Sequence, residues 1–192
     1  MTMSIDGKFP ELRKRLVIEK ETVSAHCDKV AALKQEFSHS IRCLDRPQNG
    51  TCVTYALGLL NGFFRLCREL QDSGVKPGRA FIEWLLEEGK LRELGSPQVG
   101  ALMLYFDGET WRHAGVVVGP ERVVSKWGEY AVFEHGFAEV PANYGNELKF
   151  YEMPEPNEAG GLFFEFGCLE LDLKPPEIAR LREMTGVSPE ES

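Results

Sequence analysis

Cys52 and His113 are the two residues of this chain whose types and surroundings could together do covalent chemistry. Cys52 follows the polar turn Gln48-Asn49-Gly50-Thr51 and opens an apolar helical pattern, Val53-Thr54-Tyr55-Ala56-Leu57-Gly58. A thiol in the first turn of a helix meets unpaired backbone N–H groups and the positive end of the helix dipole. Both favour thiolate over thiol. His113 opens a strand-like run, Ala114-Gly115-Val116-Val117-Val118-Gly119. A thiolate attacks a carbonyl carbon, while an imidazole first holds the thiolate and then protonates the leaving amine. The oxyanion needs preorganised donors, for which the N–H of Cys52 and the side chain of Gln48 or Asn49 are candidates.

The elements that must position these residues fall into three zones. From Glu11 to Ile41, Leu12, Leu16, Val23, Cys27, Val30, Phe37 and Ile41 recur at helical spacing between charges. This pattern predicts one or two amphipathic helices, packed on the core or offered to a protein partner. Asp45-Arg46-Pro47 breaks it. Thr51 is a plausible N-cap. The apolar face of Ala56, Leu60, Phe63, Phe64, Cys67 and Leu70 predicts a helix reaching about Gln71, and Ala80 to Leu91 a second one. Strands are expected at 101–106, 114–118, 122–126, 130–134, 148–152 and 162–166. Asp107-Gly108 and Gly119-Pro120 are the turn signals. Helices first and short strands after give an α+β fold with an antiparallel sheet.

Composition narrows the function classes. A chain of 192 residues that is 43% hydrophobic can bury a sizeable core. Its formal net charge of −8 argues against binding nucleic acid or an anionic membrane surface. No apolar run approaches the ~20 residues that span a bilayer. The first ten residues lack a basic start followed by an apolar stretch, so no signal peptide is read. Five cysteines without a CxxC spacing suggest neither a zinc knuckle nor a redox pair. The expectation is a cytoplasmic protein with reduced thiols and no cofactor.

The stretch from Gly100 to Glu134 resembles the sheet of NlpC-like and papain-like cysteine peptidases. In the NlpC-like branch a catalytic His begins a His-x-Gly motif followed by apolar residues and Gly, matched here by His113 to Gly119. Papain-like enzymes carry an orienting Asn and then Ser-Trp-Gly on the next strand, and Trp127-Gly128 falls at that place. The chain is also similar to a group of bacterial proteins with a Cys before an Ala-Leu-Gly helix start, then Ser-Lys-x-Gly, Glu-His and Tyr-Gly. Cys52 with Ala56-Leu57-Gly58, Ser125 to Gly128, Glu134-His135 and Tyr144-Gly145 match that order. The resemblance covers about residues 48–152. It implies a papain-like (NlpC-like) fold with Cys52 as nucleophile, His113 as its base, and Ser125 orienting the imidazole. Val53-Thr54 stands where wall-cutting members carry Ser-Gly, so the expected substrate is a protein, peptide or small amide rather than peptidoglycan.

Each residue also has a plainer reading. Cys27, Cys43, Cys67 and Cys168 read as core or inert thiols. Lys126 reads as a solvated charge, and Trp127 as core packing. His135 reads as a structural histidine paired with Glu134, or as a second orienter. His26 and His39 have no motif support. His113 and His135 lack a third ligand for a metal site. The organisation expected is an N-terminal helical extension (1–46), a papain-like hydrolase domain (47–170) and a C-terminal tail with a short helix (171–192). The expected activity is thiol-dependent hydrolysis or transfer at an amide bond. The alternative is a catalytically weak or inactive papain-like domain that serves as a binding module.

Overall fold

Residues 2–19, 21–45, 50–128 and 130–187 are described by a computed structural model. Arg46, Pro47, Gln48 and Asn49 lie outside these residues, and with them one helix-break signal and two oxyanion candidates. The turns signalled at Asp107-Gly108 and Gly119-Pro120 join β4 (Leu102–Asp107), β5 (Thr110–Gly119) and β6 (Arg122–Lys126), and β7 (Val132–Gly136) continues the meander. All pairings are antiparallel. β8 (Glu147–Tyr151) returns to lie beside β4, and with β1 (Met3–Ser4) and β2 (Arg42–Asp45) at the edges the order across the sheet is β1-β8-β4-β5-β6-β7-β2, with β3 (Glu93–Leu94) also on β8. The fold is α+β.

The N-terminal segment is more than a helical extension. Met3–Ser4 forms β1 at one edge of the sheet, and Arg42–Asp45 forms β2 at the other. Between them lie α1 (Pro10–Arg15) and α2 (Val23–Phe37). Their apolar faces, with Leu12, Leu16, Cys27, Val30 and Leu33, pack on Ile41, Trp127, Ala131 and Phe133. The face considered as a partner surface is thus spent on the sheet.

Strand alternation gives the sheet two covered faces. Leu102, Leu104, Phe106 and Ala114 share a core with the middle and C-terminal helices. Met103, Tyr105, Val117, Val123, Leu148 and Phe150 turn the other way onto Ile5, Phe137 and Val140. β4 is buried along nearly its whole length because both its faces are covered.

Two expectations are corrected here. The single helix from Thr51 to Gln71 is three pieces, α3 (Cys52–Ala56), α4 (Leu59–Gly62) and α5 (Phe64–Asp72). The first break falls at Gly58, whose φ of +65° is the left-handed conformation that ends helices. The strand expected at 162–166 lies inside α7 (Pro156–Glu170). A short apolar run does not distinguish a strand from a buried helix. The start signals, Pro156 at the first turn and the Glu155–Glu158 capping box, lay upstream. α6 (Arg79–Glu87) and α8 (Pro175–Thr185) complete the helices, α8 falling where the tail helix was expected.

A short 3-10 turn, Ala142–Tyr144, sits between β7 and β8. Arg13 of α1, itself buried, holds it in place. Its Nε donates to the Val140 carbonyl at 3.2 Å, Nη1 to Asn146 Oδ1 at 2.7 Å, and Nη2 to the Gly145 carbonyl. Gly145 has φ +99°, and a Cβ there would lie 2.1 Å from the Phe106 carbonyl oxygen. Gly145→Ala therefore forces the 140–146 loop off β4. The expected loss is about 3 kcal/mol of unfolding free energy by urea titration, from backbone strain and overpacking together. A loss below about 1 kcal/mol would show that this loop is not seated as described.

Candidate active site

Cys52 begins α3 because Thr51 caps it. The Thr51 hydroxyl accepts from Thr54 N–H at 3.2 Å, and Thr54 Oγ1 accepts from Thr51 N–H at 2.6 Å, a reciprocal capping box. The Thr51 hydroxyl also donates to the Pro77 carbonyl at 2.7 Å, tying this start to the loop before α6. Cys52 opens onto a cleft of about 660 Å³ walled by Leu60, Phe64, Arg68 and Lys76, with Gly128 at its margin. Phe64 is 52% exposed beside it.

The Cys52 sulfur is influenced by the backbone N–H groups of Ala114 on β5, of Val53 and of Cys52 itself, and by the charge of Lys126. All four favour thiolate. Burial outweighs them and pushes the thiol up to about 11. The expectation of a helix-start thiolate is therefore reversed. α3 has five residues, too few to build the dipole of a longer helix, whereas desolvation acts in full.

His113 precedes Ala114 on β5, so its side chain points to the opposite face of the sheet, the Tyr105 face, and not to the face where Ala114 and Cys52 pack on the helical core. Its register partner is Tyr105, and its ring contacts Tyr105 with centroids 5.6 Å apart. Tyr144 stacks on the imidazole at 3.9 Å and 15°. The buried Nε2 of His113 has no hydrogen-bond partner among the described residues, so neither Cys52 nor Ser125 holds this nitrogen. Burial, with a smaller contribution from His135, keeps the ring's pKa well below the ordinary value. The resting imidazole is neutral.

Tyr144 links the two candidates. Its ring lies on His113, the backbone N–H of Gly128 favours its phenolate, and a charge on Cys52 disfavours it. Burial raises the phenol's pKa, so it too is uncharged. Reading the chain gave Tyr144 no role beyond its place in the Tyr-Gly pair.

Ser125 is buried, but its hydroxyl is engaged elsewhere. Trp127 Nε1 donates to Ser125 Oγ at 3.0 Å, and Ser125 Oγ lies 2.8 Å from His135 Nε2. His135 Nδ1 is 2.9 Å from the Gly136 carbonyl, which can only accept. These contacts assign the proton of His135 to Nδ1 and make Ser125 the donor to Nε2. The Ser125 hydroxyl thus serves His135 and not His113, toward which its orienting role was expected. Ser125 sits near β5 because Gly115 leaves it room, a Cβ on Gly115 being 3.0 Å from that of Ser125. Burial lowers His135 to about 4. Its polar partners are Ser125, Gly136 and, at 3.4 Å, Trp127 Nε1, while Glu134 pairs with Arg42 and Arg122.

Lys126, expected in solvent, is 0% exposed. Its Nζ donates to the carbonyls of Gly128 at 2.9 Å and Tyr130 at 3.1 Å. It braces the turn that carries Gly128 to the cleft and places a cation within reach of Cys52. A lysine inside the apolar run Val123-Val124-Ser125-Lys126-Trp127 was the signal for this role. Trp127 is fully buried and stacks on Phe133 at 4.4 Å, as core packing requires. His26 and His39 are also buried. His26 pairs with Glu21 at 2.9 Å, and His39 Nε2 faces the Val30 carbonyl at 2.9 Å.

Chemically, the site offers a neutral thiol at a cleft, a neutral imidazole with an unpartnered nitrogen, a buried lysine and backbone donors. No family model matches the chain, and neither a curated protein nor a solved structure does.

Proposed function

We propose that this protein is a papain-like, thiol-dependent hydrolase or transferase that acts on an amide bond through Cys52 and His113. The observation that carries the reading is the meeting of Cys52 and β5. The thiol opens onto the cleft, its sulfur is influenced by the N–H of Ala114, and the residue before Ala114 is a histidine whose buried Nε2 has no partner among the described residues. Buried polar atoms are almost always satisfied, and an exception is a common mark of function.

The protonation states call for an uncharged resting pair rather than a preformed ion pair. In this mechanism His113 must turn from the Tyr105 face toward Cys52 when substrate binds, and it then takes the thiol proton as the sulfur attacks the substrate carbonyl. The N–H of Cys52 is a donor for the developing oxyanion, and the imidazolium returns the proton to the leaving amine. The developing charge on sulfur is met by the Lys126 cation and the Ala114 and Val53 N–H groups. Leu60 and Phe64 offer an apolar wall, and Arg68 and Lys76 a cationic rim, to a protein, peptide or small amide.

A second reading has its own support. Ser125 is bound to His135 and Trp127, and His113 is packed against Tyr144. A domain so arranged could bind without turnover. Profiling wild type and Cys52→Ala against peptide and small-amide libraries, with peptidoglycan as a further arm, separates the two. The expected result is turnover of a peptide or amide that falls about 10⁴-fold or more in Cys52→Ala. Ligand capture without turnover, equal in both proteins, selects the binding module. Release of muropeptides by wild type alone would move the substrate to the cell wall.

A further inference from the structure

Cys27 and Cys43, both read as inert from the chain, place their sulfur atoms 3.0 Å apart. Cys27 is buried on α2, and Cys43 is exposed on β2. We propose that Cys27 and Cys43 form a redox site, closing a reversible disulfide that staples the edge strand β2 to α2.

Three observations support it. A sulfur separation of 3.0 Å is about 1 Å from the covalent S–S distance, so closure asks for a small side-chain shift and no refolding. The two thiols differ in access: Cys43 can meet a small disulfide from solvent, whereas Cys27 waits beneath it as the resolving thiol. Among the described residues, the strand concerned is the outermost of its side of the sheet and pairs with β7 alone, with its register shifting between Cys43 and Asp45. Such edges fray first, and a covalent tie to a packed helix opposes it. The site does not depend on the chemistry proposed at Cys52.

The oxidant is a small disulfide such as oxidised glutathione. The Cys43 thiolate attacks one of its sulfurs, forming a mixed disulfide and expelling one glutathione thiolate. The Cys27 thiolate then attacks Cys43 Sγ and expels the second. The protein loses two protons and two electrons, and one disulfide is reduced to two thiols.

The test treats the folded full-length chain with oxidised glutathione, traps free thiols with a maleimide and maps the peptides by mass spectrometry. The expected product in wild type is the Cys27–Cys43 cross-link, with a rise in Tm of about 6–12 °C that dithiothreitol reverses. In Cys27→Ser, a glutathione adduct should persist on Cys43. In the conservative surface variant Cys43→Ser, neither cross-link nor Tm rise should appear. Recovery of both wild-type thiols as maleimide adducts, or a lasting glutathione adduct on wild-type Cys43, overturns the site. A cross-link that leaves Tm unchanged overturns the staple.

Discussion

Alkylation of Cys52 by iodoacetamide should be slow at neutral pH and rise about tenfold per pH unit up to about pH 10. Only the thiolate reacts, and burial holds this thiol near 11 against the pull of Lys126 and three backbone N–H groups. An unperturbed thiol titrates near 8.5, so at pH 7 Cys52 should react about 300-fold more slowly than a small-molecule thiol of ordinary pKa. From pH 7 to pH 10 its rate should climb about 1,000-fold. Quantifying the Cys52 peptide by mass spectrometry across that range gives the curve directly. A plateau already reached below pH 8 would show a thiolate–imidazolium pair at rest and would sink the uncharged-pair mechanism. Turnover should not follow this curve: with a neutral thiol and a neutral imidazole as the working pair, its rate levels off once pH exceeds the lowered value of His113.

The second large effect is acid lability carried by buried neutral histidines. His113 and His135 are fully buried with pKa values held down by desolvation, His135 to about 4, and His26 is lowered for the same first reason. In the unfolded chain each titrates near 6.5. A lowered folded value means that the unfolded state binds the proton more readily, so the stability is present above about pH 6.5 and is lost as pH falls. At pH 5 the difference is about 2 kcal/mol for His135, and His113, held well below its ordinary value, adds to it in the same direction. The His135 contribution levels off near pH 4. Carboxylates with lowered values, such as Glu139 with its Ser40 and Gly136 hydrogen bonds, act below about pH 4.5 and form a separate, later limb. Urea titrations at half-unit steps from pH 7 to 4.5 measure the slope. Wild type should approach two or more protons per molecule near pH 5, and His135→Gln should take away one. A flat profile between pH 6.5 and 5 would mean that these rings are solvated in solution, and the packed site would have to be abandoned.

Much of the frame that carries the site was legible in the chain. The alternation and turn signals around residues 101–136 located four strands, and Arg122–Lys126 came out with the same bounds. Thr51 capping and the helix start at Cys52 were readable because capping is decided within four residues. Periodicity failed where its information is local but the answer is not. Leu162 to Phe166 is apolar enough for either a strand or a helix, and only packing on the neighbouring helices decides it.

The site itself was half written. Residue types and order nominated Cys52 and His113, since a nucleophile and a base can be recognised by what they are. What they do at neutral pH depends on how many groups surround them, and that is a property of the folded interior. Burial turned the expected thiolate into a thiol and the histidine into a neutral ring. It drew Lys126 out of solvent and gave Ser125 to His135. It set Tyr144, from a turn held by Arg13 of α1, on the face of His113. Cys27 and Cys43 stand 16 positions apart, one on a helix and one on a strand, and no spacing rule joins them. Local order settled which atoms are present and which elements carry them. Desolvation and contacts between segments distant in sequence exist only once the chain has closed, so charge state and pairing were left to the tertiary structure.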